Sequence, residues 1–172
     1  MLAEISDQTL LLASLYNYGY RLVDGEVPYF QHPCVCYYRT TLPCTQDVVV
    51  HVVELNDPSF EAADAYIEVC VKISRSTKRG EHIFTLTSLI GAGKQIPGPY
   101  LVEQSRIRLN PISKGFTSTS VVLGLKGNTG ILGQGLLRLY QMFDSTHTPA
   151  LFYELEAALN HLTMAAIGKH KC

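Results

Sequence analysis

The sequence predicts an α+β fold: one antiparallel sheet of about five or six strands, with an N-terminal helix and two C-terminal helices packed on one face. Three observations lead there. Residues 65–90 read as two alternating runs around a polar, glycine-containing turn. The stretch DVVVHVVEL (47–55) is apolar on both faces, which marks a central strand covered from each side. Helical periodicity is confined to the two ends of the chain, which separates the helices from the strands.

Taken in order, residues 6–18 read as a helix, with Ser6 or Asp7 as cap, Leu11, Leu12, Leu15 and Tyr16 as its stripe, and Gly19 at its end. Pro33 and Pro43 bracket CVCYYRTTL, a short strand whose flanking prolines suggest an edge position. After the central strand, Asn56-Asp57-Pro58 breaks the chain and SFEAAD offers one helical turn. In AYIEVCVKIS, Ile67, Val69, Val71 and Ile73 fall on one parity, and HIFTLTSLI returns with Phe84 and Leu86 on one side. Gly80 in the intervening turn is free to take a positive φ, so the pair is expected as a β-hairpin. Residues 91–100 form a loop by composition, LVEQSRIRL (101–109) reads as a strand with Arg106 and Arg108 pointing the same way, and GFTSTSVVLGL as a further strand with a partly wet face. A glycine-rich loop at 127–135 precedes a short helix carrying Leu136, Leu139, Tyr140 and Phe143. The last helix is expected to start with Thr148 as cap and Pro149 at its first position. Its stripe is Leu151, Leu155, Ala158, Leu159, Leu162 and Ala166, and Gly168 and Lys169 close it. Nothing divides the chain, so residues 1–172 are read as a single domain.

Composition narrows the function more than the motifs do. Charged residues make up 17% of the 172 residues, below the ~25% usual for soluble domains, which suits a chain that hides surface in an oligomer or complex. The net charge of −1 gives no electrostatic footprint for nucleic acid, and no apolar run approaches the length of a membrane span. MLAEISDQT carries an early acid and no basic run, unlike a secretion signal. With five cysteines, an odd number, reduced thiols in a cytoplasmic protein, or one within an assembled particle, are the expectation.

The chemical motifs are weak. His32, Cys34, Cys36 and Cys44 lie close together, but their spacing is not that of paired zinc knuckles, so no metal is expected. Cys70 with His51 or His82 lacks the helix terminus or cations that activate a thiol. GAGK at 91–94 misses the phosphate-loop pattern, since Ser88 stands at the first glycine position and Gln95 follows the lysine. No cofactor is expected. The N-terminal third is rich in tyrosine, which offers large contact area at little entropic cost. The first expectation is therefore a non-enzymatic binding or assembly protein that self-associates or docks a protein partner. Its surface would comprise Tyr16, Tyr20, Tyr29, Phe30, Tyr38 and Arg39, next to an exposed strand edge. The alternative is a small-molecule enzyme or ligand-binding domain with a pocket between sheet and C-terminal helix. That pocket would use Arg106, Arg108, Gly130, Gly133 and Gly135, with acyl transfer at the 127–135 loop as its most concrete version.

Overall fold

The computed structural model describes residues 10–43, 45–93, 98–109, 112, 116–124 and 147–169. Its elements in chain order are α1 (Leu10–Asn17), β1 (Arg21–Leu22), β2 (Tyr29–His32), β3 (Val35–Leu42), β4 (Thr45–Leu55), α2 (Phe60–Ser76), β5 (His82–Ser88), α3 (Gly98–Arg108), β6 (Thr117–Leu123), β7 (His147–Phe152) and α4 (Leu155–Lys169). They combine helices with one mixed sheet in the order β1-β3-β4-β5-β6-β7, with β2 also paired to β3.

The central strand expected at 47–55 is β4, and both of its faces are covered. Val48, Val50 and Val52 point to one side and Val53 and Leu55 to the other, all buried. β3 runs antiparallel to β4, but β5, β6 and β7 follow it in parallel. The purely antiparallel sheet is therefore corrected to a mixed one. β3 is also no edge, because β1 and β2 share its outer side.

The expected hairpin at 65–90 is where the parity reading fails. Residues 60–76 form a helix, and only the return run, β5, is a strand. Ser59 caps the helix by accepting a hydrogen bond from the Ala62 N–H at 3.1 Å, and Glu61 sits at its positive end. Ala62, Ala63, Tyr66, Ile67 and Ile73 bury a stripe at helical spacing, and Ala65 and Val69 are buried beside it. Because α2 lies against both the sheet and α3, its buried arc is broad enough to include residues of one strand parity. Parallel neighbours need a long crossover, and α2 supplies it between β4 and β5. Gly80 does take a positive φ, at 89°, in the turn that enters β5.

Two other segments change type. Residues 98–108 form α3 rather than a strand, with Leu101 and Ser105 buried one turn apart. Thr148 and Pro149 belong to β7 instead of capping the last helix, which starts at Leu155. Proline is tolerated there because β7 is the last strand of the described order, and its outer side needs no N–H. The stripe Ala158, Leu159, Leu162 and Ala166 is buried as expected.

The helices lie on both faces of the sheet, not on one. α2 and α3 pack on the side of Val53, Leu55, Ile83 and Val122, while α1 and α4 pack on the side of Val50, Val52, Leu86 and Leu123. Three layers result, with β4, β5 and β6 covered on both faces. The loop expected at 127–135 and the helix after it lie outside the described residues.

Candidate functional site

The carboxyl ends of the parallel strands converge beside the α1–α4 layer, and a crevice of about 700 Å³ opens there. The chain leaves each of these strands at this end, and both crossover helices α2 and α3 lie on the opposite face, so only the α1–α4 layer borders the gap. Glu54 stands one residue before the end of β4, Ser88 ends β5 and Leu123 ends β6. Asn56, Ile90 and Gly91 follow the strands, while Leu10, Leu11 and Leu155 close the apolar side.

Strand parity puts Glu54 on the same face as Val50 and Val52, so the carboxyl group is buried, with the residue only 4% exposed. The Tyr38 hydroxyl, diagonally across on β3, donates to its Oε1 at 2.7 Å. Burial pushes the Glu54 carboxyl up to about 7, against the smaller opposing effect of the Tyr38 hydrogen bond. The Cys36 thiol on the same face is pushed up to about 12 by burial and by the neighbouring Glu54, and the Tyr38 hydroxyl is raised for the same reasons.

Asn56 supplies the second polar group. Its backbone N–H donates to the Cys34 carbonyl at 2.7 Å, but its buried Nδ2 has no hydrogen-bond partner among the described residues. A buried amide without a partner is costly. Gly91 explains how the side chain fits. A Cβ there would stand 2.2 Å from Asn56 Oδ1 and 2.9 Å from Asn56 Cα, so only glycine permits the approach. The described lining contains no lysine, arginine or histidine. Its polar floor therefore suits a neutral donor-acceptor group, and its walls suit an apolar body.

The tyrosine surface read from the sequence is divided. Tyr20 and Tyr38 are buried at 1% and 2% exposure, as core residues of the α1–α4 layer, which removes them from any surface. Tyr16 is exposed on α1, with the Arg21 guanidinium 5.6 Å from its ring centre. Tyr29 is exposed on β2, with Lys72 Nζ of α2 4.4 Å over its ring. These two rings thus belong to opposite layers. Arg39 is half-buried and paired with Glu26. The side chain of Phe30 lies outside the described residues.

Of the residues of the alternative reading, Arg106 and Arg108 do not line this crevice. They project from a helix in the other layer: Arg106 pairs with Glu103 at 3.0 Å, and Arg108 reaches Asp64 and Glu68 of α2. Gly130, Gly133 and Gly135 lie outside the described residues. Cys70 sits on α2, its thiol pushed up to about 12 by burial. His51 bonds Tyr37 and His82 bonds Thr117 and Thr119, so neither is engaged with it. Among the described residues no three of His, Cys, Asp and Glu stand together as a metal site, and no helix is long and apolar enough to cross a membrane.

Glu54, Asn56, Ser88 and Gly91 were not singled out from the sequence. The signal was present at Glu54, an acid whose parity in a doubly covered strand buries it. Comparison with known proteins finds no matching family, no similar curated sequence and no similar solved structure.

Proposed function

We propose that this protein is a non-enzymatic, ligand-binding domain whose site is the crevice at the carboxyl ends of β4, β5 and β6. The observation that supports this is a crevice lining that combines Asn56, whose buried Nδ2 has no hydrogen-bond partner among the described residues, with the buried Glu54 carboxyl and apolar walls. The ligand is a small molecule with an apolar body and one uncharged end that both donates and accepts hydrogen bonds. A primary amide satisfies both groups, its carbonyl oxygen accepting from the Asn56 amide and its N–H donating to a Glu54 carboxyl oxygen. Free thiols at Cys34, Cys36 and Cys70 fit a cytoplasmic setting, and the absence of a basic surface motif in the sequence fits a role away from nucleic acid. Hexanamide is a suitable probe. It is expected to raise the melting temperature of the wild type and not that of Asn56→Ala; equal shifts in both would contradict the proposal.

One observation favours assembly as a second reading. Val27 is 77% exposed beside the exposed Tyr29, at the β2 edge. A homo-oligomer or a protein partner would cover this pair. Light scattering that finds a defined oligomer, lost on Val27→Asp, supports docking at this edge. A monomer at tens of micromolar removes self-association from the proposal.

A further inference from the structure

The opposite face of the sheet carries an anomaly. On β5 and β6 the side facing α1 and α4 is Phe84, Leu86, Val121 and Leu123, as a covered face should be. The side facing α2 is less fully covered, with Thr85 and Ser120 half-buried, and its successive positions include Thr85, Thr87, Ser118 and Ser120. Thr85 and Ser120 are direct neighbours in the parallel register, so their hydroxyls form one small polar floor. Above it α2 presents Cys70 and Ser74, short side chains that leave the space between the layers unfilled. A cavity of about 100 Å³ results, walled by Val53, Ile73, Ile83, Phe116 and Val122.

The space is open on one side rather than sealed, and its lining atoms lack the contacts that an occupant would restore. Among the described residues no charged side chain lines the cavity, so they offer an ionic occupant no partner. The hydroxyls offer both donors and acceptors, and the walls are alkyl and aromatic. We infer that this cavity is a second binding site, for a neutral short-chain alcohol or carbonyl compound, held by its oxygen on the Thr85–Ser120 floor and by its carbons against Ile73, Ile83 and Val122. The size follows from the volume. A dry cavity of ~150 Å³ holds benzene, so this one takes about four or five non-hydrogen atoms. It lies in the layer opposite the Glu54 crevice, and either site can fail without the other.

The test is a titration of isotope-labelled protein with isobutanol, followed by methyl and amide resonances. The expected result is a saturable shift confined to residues around the cavity, such as Val53, Ile83 and Val122. Hexanol, which is too long, should not reproduce it. Ser120→Val should weaken binding about tenfold by removing the oxygen's partner, and Ile73→Phe should abolish it by filling the space. Should Ser120→Val fail to fold, Thr85→Val, which conserves shape, serves in its place. Shifts that do not saturate, that scatter over the exposed surface, or that survive these substitutions would overturn the inference and leave the cavity to water.

Discussion

Glu54 and His51 lie three positions apart on β4, on opposite faces, and burial displaces both toward neutrality. Glu54 has its carboxyl raised from 4.5 to about 7. The folded protein therefore keeps a proton that the unfolded chain gives up above pH 4.5, and stability falls as pH rises from there to about 7. His51 is lowered from 6.5 to about 4, by burial first and by Arg39 second. Its unfolded form takes up a proton that the folded form refuses, so stability is lost as pH falls from 6.5 to about 4. Between pH 4.5 and 6.5 the two slopes oppose and nearly cancel. Each amounts to roughly 3 kcal/mol over its full window, at about 1.4 kcal/mol per pH unit. Glu54→Gln keeps an acceptor for the Tyr38 hydroxyl and removes one of the slopes. Urea unfolding across pH should then show the variant gaining stability from pH 4 to 6.5, where the wild type is nearly flat, and exceeding the wild type by roughly 3 kcal/mol at pH 8. A variant profile parallel to the wild type at every pH would show that Glu54 is ionised in the folded protein. This pair of residues was half legible in the sequence. The parity of β4 places Glu54 indoors, but the diagonal contact with Tyr38 depends on the β3–β4 register, which a sequence pattern does not give.

α2 shows where pattern and structure part. Its β-branched residues at 67, 69, 71 and 73 satisfy a period of two, while Ala62, Ala63, Tyr66, Ile67 and Ile73 satisfy the helical period. A helix wedged between a sheet and another helix buries a wide arc, so both periods fit and apolar pattern alone does not decide. The cap does. Pro58-Ser59 followed by an acid is a helix start, and it extends for 17 residues rather than for one turn. The cap also gives the test at this scale. Ser59→Ala should cost about 1 kcal/mol in unfolding free energy with an unchanged denaturant slope; no change would mean that the Ser59 hydroxyl contributes nothing at this helix start. α3 was misread for a related reason, since Arg106 and Arg108 have strand parity but pair with different partners along a helix. Where one period dominates, as in β4 and in the buried stripe Ala158, Leu159, Leu162 and Ala166 of α4, the sequence reading and the structure agree.

At the scale of the molecule, the change from an antiparallel to a mixed sheet is what creates the site. An antiparallel sheet alternates its strand ends at each edge, whereas β4, β5 and β6 deliver three carboxyl ends to one place. Glu54, Ser88 and Leu123 become neighbours only through that direction. Strand direction is invisible to alternation, so the site was not legible even though each of its strands, as a segment, was. The covered faces of β4, β5 and β6 are consistent with the low charge content, since these strands carry mostly apolar or hydroxyl side chains. The measurement that bears most directly on the whole account is an amide chemical-shift map of the protein titrated with hexanamide, a probe too long for the small cavity under α2. Saturable shifts centred on Glu54, Asn56, Ser88, Gly91 and Leu123, lost in Asn56→Ala, are the expected result. Shifts centred instead on Val27 and Tyr29, or none that saturate, would contradict a ligand site at the carboxyl ends of the parallel strands.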